Sequence, residues 1–155
     1  KKDSYAKRFG KTALESNLEA DEFKTLMRRK KTNIKTALLD QKLVSGIGNI
    51  YANDALFLAK IHPLKLTKNI SDIEFEILFN SLQKVLKQGV KNRGSSIGRF
   101  KDIYGRPGFH QDYFHVYGKR DNICTRCRTF PIEYSKIQGR GTFYCPGCQP
   151  IDENN

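Results

Sequence analysis

No apolar run in these 155 residues approaches the roughly 20 needed to span a membrane, so a membrane-spanning helix is excluded. The start, KKDSYAKRFGK, has basic residues but no apolar segment behind them, which excludes a signal peptide at this position. The expectation is an intracellular, reducing location, the cytoplasm, with no membrane partner. Methionine occurs once, at Met27, and the chain begins at Lys1, so a C-terminal piece of a longer chain or a trimmed product is expected. There is no internal repeat and no low-complexity tract. Acidic residues are scarce: 16 Asp and Glu face 28 Lys and Arg, a formal net charge of +12. Such an excess costs self-repulsion and is the electrostatic footprint of a nucleic-acid binder.

What is present is mostly helical patterning. Phe23, Leu26 and Met27 fall at helical spacing over Ala20 to Lys31, with Asp21 and Glu22 at the end that favours acids. The run Arg28-Arg29-Lys30-Lys31 closes that helix and admits two roles, a solvated face or a neighbour of phosphate. A second helix is expected from Asn33 to Gln41, and "IYANDALFLAK" resumes the pattern before His62-Pro63. Ser71-Asp72-Ile73-Glu74 is a capping-box pattern opening the longest helix, roughly 72–91. Its core stripe is expected to be Ile73, Ile77, Leu78, Leu82, Val85 and Leu86. Residues 92–113 hold four glycines and a proline and read as a long loop of the functional kind. "YFHVYG" is expected to be a strand leading onward, and a short strand or turn is expected near Tyr5–Gly10.

The cysteines are Cys124, Cys127, Cys145 and Cys148, spaced C-x2-C-x17-C-x2-C. In a reducing location that spacing reads as one structural four-thiolate zinc site. Such a site supplies folding energy to a segment too small to build a core. Between the pairs, "IEYSKI" and "TFYC" read as strands joined by Gln138-Gly139-Arg140-Gly141. Arg140 is then either a phosphate-binding arginine on a metal-pinned hairpin or a solvated turn residue. "GIGNIY", Gly46 to Tyr51, places open backbone amides before a helix N-terminus, a ready anion site. Asn49 could cap that helix or donate to a phosphate.

"LLDQKLVSGIGNIYANDALFLAKIHPLKL" and the later "GRGTFYCPGCQ", in that order with a long helix and loop between, resemble the helix–two-turn–helix motif and zinc finger of formamidopyrimidine-DNA glycosylases and their endonuclease VIII relatives. The resemblance covers about residues 21–149. It implies that Asn49, Tyr117 and Arg140 contact the DNA backbone beside a lesion and that the four cysteines bind one structural Zn2+. Lys7-Arg8-Phe9-Gly10 resembles the family's Arg-Arg-Phe-Gly. Phe9 would be the wedge that enters the base stack, Arg8 a backbone contact, and Lys7 stands where arginine usually meets the orphaned base. Residues 92–113, with Gly94-Ser95-Ser96, resemble the lesion-capping loop of the branch that acts on oxidised purines such as 8-oxoguanine and formamidopyrimidine. The implied partner is damaged double-stranded DNA, bound by a monomer.

Members of that family are bifunctional glycosylase and AP lyase enzymes that use an N-terminal proline amine followed by Glu, on a β-sandwich. The prolines here are Pro63, Pro107, Pro131, Pro146 and Pro150, and no Pro-Glu occurs. No catalytic residue is therefore assigned in this chain. Lys35 or Lys42 offers an amine only in principle, a surface lysine being the plainer role. The expected fold is mostly α, a helix–two-turn–helix bundle, followed by a small four-cysteine zinc-finger β-hairpin, with the family's N-terminal β-sandwich absent. The expected division is 1–20, remnant of an N-terminal domain or linker; 21–118, DNA-binding domain including loop 92–113; 119–150, zinc finger; and 151–155, tail. Two functions stand: the DNA-binding part of a base-excision glycosylase, or a DNA-binding module without catalysis of its own.

Overall fold

The computed structural model describes residues 9–14, 17–91 and 114–155. Lys7, Arg8, Gly94, Ser95, Ser96 and the rest of segment 92–113 lie outside the described residues. Helix α1 runs Ala20–Arg29, α2 Ile34–Leu38, α3 Asn49–Ala59 and α4 Asp72–Lys91, with a 3-10 turn at Thr67–Asn69 before α4. A two-stranded antiparallel sheet follows, β1 Glu133–Ile137 and β2 Arg140–Tyr144. None of the described helices is long and apolar enough to cross a membrane.

Local chemistry accounts for the helix ends. The Asn33 side chain accepts from the Thr36 N–H at 2.8 Å and starts α2. The capping box at α4 is reciprocal: Ser71 Oγ accepts from the Glu74 N–H, and Glu74 Oε1 accepts from the Ser71 N–H, both at 3.1 Å. α2 is shorter than the expected 33–41, because Leu39 onward turns away toward the glycine-containing segment.

The main core gathers Phe23 and Met27 of α1, Ile34 and Leu38 of α2, Leu56 of α3 and Phe75, Leu78, Leu82 and Val85 of α4. The stripe on α4 differs from the expectation by one helical row. Ile73 and Ile77 are 70% and 44% exposed. Phe75 and Phe79 are buried instead, with ring centroids 6.3 and 5.4 Å from that of Phe23. Leu78, Leu82, Val85 and Leu86 are buried as expected. α3 lies close against α4 because Gly89 lacks a side chain: a Cβ there would stand 2.5 Å from the Tyr51 hydroxyl. A glycine inside a helix costs up to about 1 kcal/mol relative to alanine; Gly89 lies in the last turn of Asp72–Lys91, where the cost is smaller and backbone and ring must meet.

A second, smaller cluster joins α3 to the cysteine segment through Phe57, Val116, Cys124, Ile132 and Cys145. Asn155 ties the C-terminal end back, accepting from the Leu66 N–H at 2.9 Å and donating to the Leu64 carbonyl at 3.0 Å.

Candidate nucleic-acid interface

The turn before α3 is held from one side chain. Gln41 Oε1 accepts from the Gly46 N–H at 2.8 Å, and Gln41 Nε2 donates to the carbonyls of Leu39 and Ile47 at 3.1 and 3.2 Å. Gly46 takes a φ of 86°, a conformation other residues adopt at a cost. The N-cap is Gly48, which has no side chain to satisfy the first amides of α3. Those amides have no intrahelical acceptor, and the helix dipole is positive there. Asn49, the first helical residue, does not cap; its Nδ2 donates to the Gly141 carbonyl at 3.0 Å. A carboxamide nitrogen carries two protons, so one N–H remains for another acceptor.

The hairpin turns on two residues, Gln138 and Gly139, with φ of 51° and 72°, the positive pair of a type I′ turn. Arg140 is therefore the first residue of β2, paired with Ile137, and its side chain is exposed. The expected strand at "YFHVYG" is absent from its described residues, 114–118. That segment is held by Asp54 of α3 instead. Asp54 accepts the backbone N–H groups of His115 at 2.9 Å, Val116 at 3.1 Å and Tyr117 at 3.3 Å. The Tyr117 ring then meets Phe143 of β2 edge-on, centroids 5.1 Å apart.

One carbonyl docks the hairpin on the helices. Gly141 O accepts from Asn49 Nδ2 and Lys35 Nζ, each at 3.0 Å, and from Asn53 Nδ2 at 3.3 Å. Asn53 Oδ1 accepts from the Phe143 N–H at 2.6 Å, and Lys35 Nζ also bonds Thr142 Oγ1. Lys35 is not the surface lysine expected from its sequence position; it is 1% exposed. Burial, with the charge of Arg140 beside it, pulls its amine from 10.5 down to about 8. The unfolded chain thus binds more protons between those values, so this group makes stability rise with pH across that window. Unfolding midpoints of the wild type and Lys35→Met should diverge in favour of the wild type from pH 8 to pH 10. Parallel pH curves would contradict a buried amine.

These supports bring Asn49, Tyr117 and Arg140 to one cleft of about 410 Å3, lined also by Gly48, Ile50, Tyr51, Gly139 and Gly141. Phe9, 43% exposed, borders a neighbouring cleft of about 590 Å3 with Lys35, Gln138 and Arg140. Arg140 thus lines both clefts. Sequence reasoning missed Gln41, Asn53 and Asp54. Each looks like an ordinary polar residue in its own segment, and only the fold supplies its partners.

The four cysteine sulfurs lie within 4.8 Å of one another, close enough to hold one metal ion. The nearest cross pairs are Cys124–Cys148 at 3.9 Å and Cys127–Cys145 at 3.7 Å. Backbone N–H groups of Phe130 and Thr129 pull the Cys127 thiol down to about 6, and burial pushes Cys145 up to about 12. Gln149 mounts the second knuckle: its Oε1 accepts from the Cys145 N–H and its Nε2 donates to the Ile61 carbonyl, both at 2.9 Å.

Residues 9–101 match the family model described as the formamidopyrimidine-DNA glycosylase H2TH domain. A formamidopyrimidine-DNA glycosylase of Herpetosiphon aurantiacus is 39% identical over 142 residues, 92% of this chain and 52% of that protein. A crystal structure of MutM (Fpg) from Thermus thermophilus superposes with a TM-score of 0.86 at 33% identity, covering 94% of this chain and 55% of that one. A complex between Lactococcus lactis Fpg and DNA containing an abasic site gives a TM-score of 0.86 at 36% identity, covering 97% and 55%. The chain spans about half the length of the curated relatives it matches.

Proposed function

The chain belongs to the formamidopyrimidine-DNA glycosylase H2TH family, a family of DNA-binding repair enzymes, and from that premise we propose that it grips damaged duplex DNA for a base-excision glycosylase and AP lyase acting on oxidised purines. The observation that carries this is the meeting of Asn49, Tyr117 and Arg140 around the open amides of α3. Asn49 contributes its remaining N–H, Arg140 a planar fork of donors, Tyr117 a hydroxyl, and α3 its positive end, all matched to a phosphodiester. Backbone contacts of this kind position a protein without reading sequence, as damage search at any site requires. Phe9, which lines a cleft it shares with Arg140, is the apolar wedge, a device that unstacks bases and kinks a duplex. The protein acts as a monomer, with residues 21–118 as its DNA-binding domain and 119–150 as its zinc finger.

Zinc fits the cysteine site. A tetrahedral ion with Zn–S bonds of about 2.3 Å sets its sulfurs about 3.8 Å apart, and the two cross pairs stand at 3.9 and 3.7 Å. Four protein ligands leave no open position, so the ion holds the hairpin and takes no part in reaction.

Duplex affinity measured over a range of salt concentrations tests the grip, using DNA with an abasic-site analogue, DNA with 8-oxoguanine and undamaged DNA. Arg140→Ala and Asn49→Ala should each weaken binding to all three duplexes, and Arg140→Ala should also lower the salt slope, by about 1, while the neutral Asn49 leaves it unchanged. The wild type should prefer the damaged duplexes. A salt slope unchanged in Arg140→Ala, or an affinity unchanged in Asn49→Ala, would remove that residue's phosphate assignment, and equal affinity for all three duplexes would remove the damage assignment.

A further inference from the structure

Arg126 lies inside the first cysteine knuckle, immediately before Cys127, and the cleft gives it no task. Its guanidinium nevertheless serves two structures at once. Nε donates to Cys148 Sγ, a sulfur of the other knuckle, at 3.4 Å. Nη2 donates to the Phe57 carbonyl at 2.7 Å, and the guanidinium carbon stands 3.8 Å from the centroid of the Phe57 ring. Phe57 is buried near the end of α3, and its ring stacks with His115 at 5.7 Å. The same carbonyl accepts the Lys60 N–H at 3.1 Å, which closes the helix. The cation therefore lies at the negative end of the helix dipole, on an aromatic face, and against a cysteine sulfur. Four thiolates around a divalent ion form a net negative unit, and a hydrogen bond from a cation is the strongest neutralisation a neighbour can offer. Among the described residues, Arg126 is the cation that hydrogen-bonds a cysteine sulfur.

We propose that Arg126 is a positioning residue that balances the charge of the filled four-thiolate site and passes the filling of that site to the C-terminal turn of α3, whose opposite end forms the DNA cleft. It rests on the metal assignment above, and the two can fail separately. Without metal, the sulfur is a weaker acceptor and the guanidinium loses one anchor; with metal, the thiolate charge holds it, and it holds the Phe57 carbonyl. Gln149 makes a parallel link to Ile61, but it carries no charge and bonds a backbone N–H rather than a sulfur.

The experiment compares the wild type with Arg126→Ala, Arg126→Lys and, as a charge-matched control in the same knuckle, the exposed Arg128→Gln. Zinc affinity by chelator competition should fall about 10- to 100-fold in Arg126→Ala, less in Arg126→Lys, and not in Arg128→Gln. With Co2+ in the site, the thiolate-to-metal charge-transfer band of Arg126→Ala should move to lower energy, because a lost N–H···S bond raises the sulfur electrons. Amide exchange over residues 57–61 should slow on metal binding in the wild type and respond less in Arg126→Ala. Zinc affinity and band position unchanged in Arg126→Ala, or a full exchange response retained, would overturn the proposal while leaving the metal site intact. A wild type that binds no zinc would overturn both.

Discussion

Stripping the metal with an excess of a strong chelator is expected to unfold residues 120–149 while α1 to α4 stay helical. The hairpin has two five-residue strands, and a two-stranded ribbon is marginal in water. Its small core, Phe57, Val116, Cys124, Ile132 and Cys145, includes two of the ligands themselves. With metal gone, those sulfurs become buried thiols with no common centre. Structural zinc supplies about 10–16 kcal/mol to such segments, more than a ribbon this small can replace. The helical core contains none of the four cysteines and has its own buried aromatics, so it should survive. Losing the hairpin removes Arg140 and strands the donors Asn49, Asn53 and Lys35, which share the Gly141 carbonyl. Duplex affinity should thus fall at least as far as in Arg140→Ala. Amide exchange by segment, before and after chelation, reads the outcome directly. Protection retained across 120–149 would mean that the site is not structural.

Much of this architecture is visible in the chain itself. The capping box at Ser71 and Glu74, the helical spacing of Phe23 and Met27, and the paired Cys-x-x-Cys knuckles are local patterns, and local patterns survive folding. The α4 stripe is ambiguous in the sequence because two adjacent helical rows are both apolar. Periodicity cannot choose between them; the Phe23 ring does, by packing on Phe75 and Phe79. Lys35 was illegible for a different reason. Its partners, Gly141 and Thr142, lie more than a hundred residues away, and nothing local marks a lysine that will lose its water. Asn49 was half legible: the Gly-x-Gly-Asn turn announces an anion site, but only the docked hairpin shows that its carboxamide leaves the cap and reaches across to β2. The segment 114–118 looks like a strand because it is aromatic and β-branched, yet among the described residues no strand pairs with it. Its N–H groups go to a carboxylate instead.

Asp54→Ala is expected to cost both stability and grip. The Asp54 carboxylate is 1% exposed and takes three consecutive backbone N–H groups, an arrangement that substitutes for a strand partner. A buried N–H left without an acceptor costs about 1–3 kcal/mol; of the three bonds only that of Val116 is buried, those of His115 and Tyr117 being half-buried, so the loss is about 1–3 kcal/mol. For a chain of this length that corresponds to a fall in Tm of about 2–12 °C. The effect should not stay local. Residues 115–117 carry Tyr117 to the cleft and seat Val116 and His115 against Phe57. Freed from Asp54, they lose the register that points Tyr117 at Phe143, so duplex affinity should drop even at temperatures where the variant is fully folded. Asp54→Asn separates charge from shape. It keeps one acceptor oxygen but turns an amide toward N–H donors, so its loss should be intermediate in both Tm and affinity. The decisive comparison is Tyr117→Phe, which removes only the hydroxyl. If Asp54 acts by holding the segment, Asp54→Ala must weaken binding more than Tyr117→Phe does. If Asp54→Ala binds as tightly as the wild type where it is folded, Asp54 contributes to stability alone and its hold on residues 115–117 has no part in the grip.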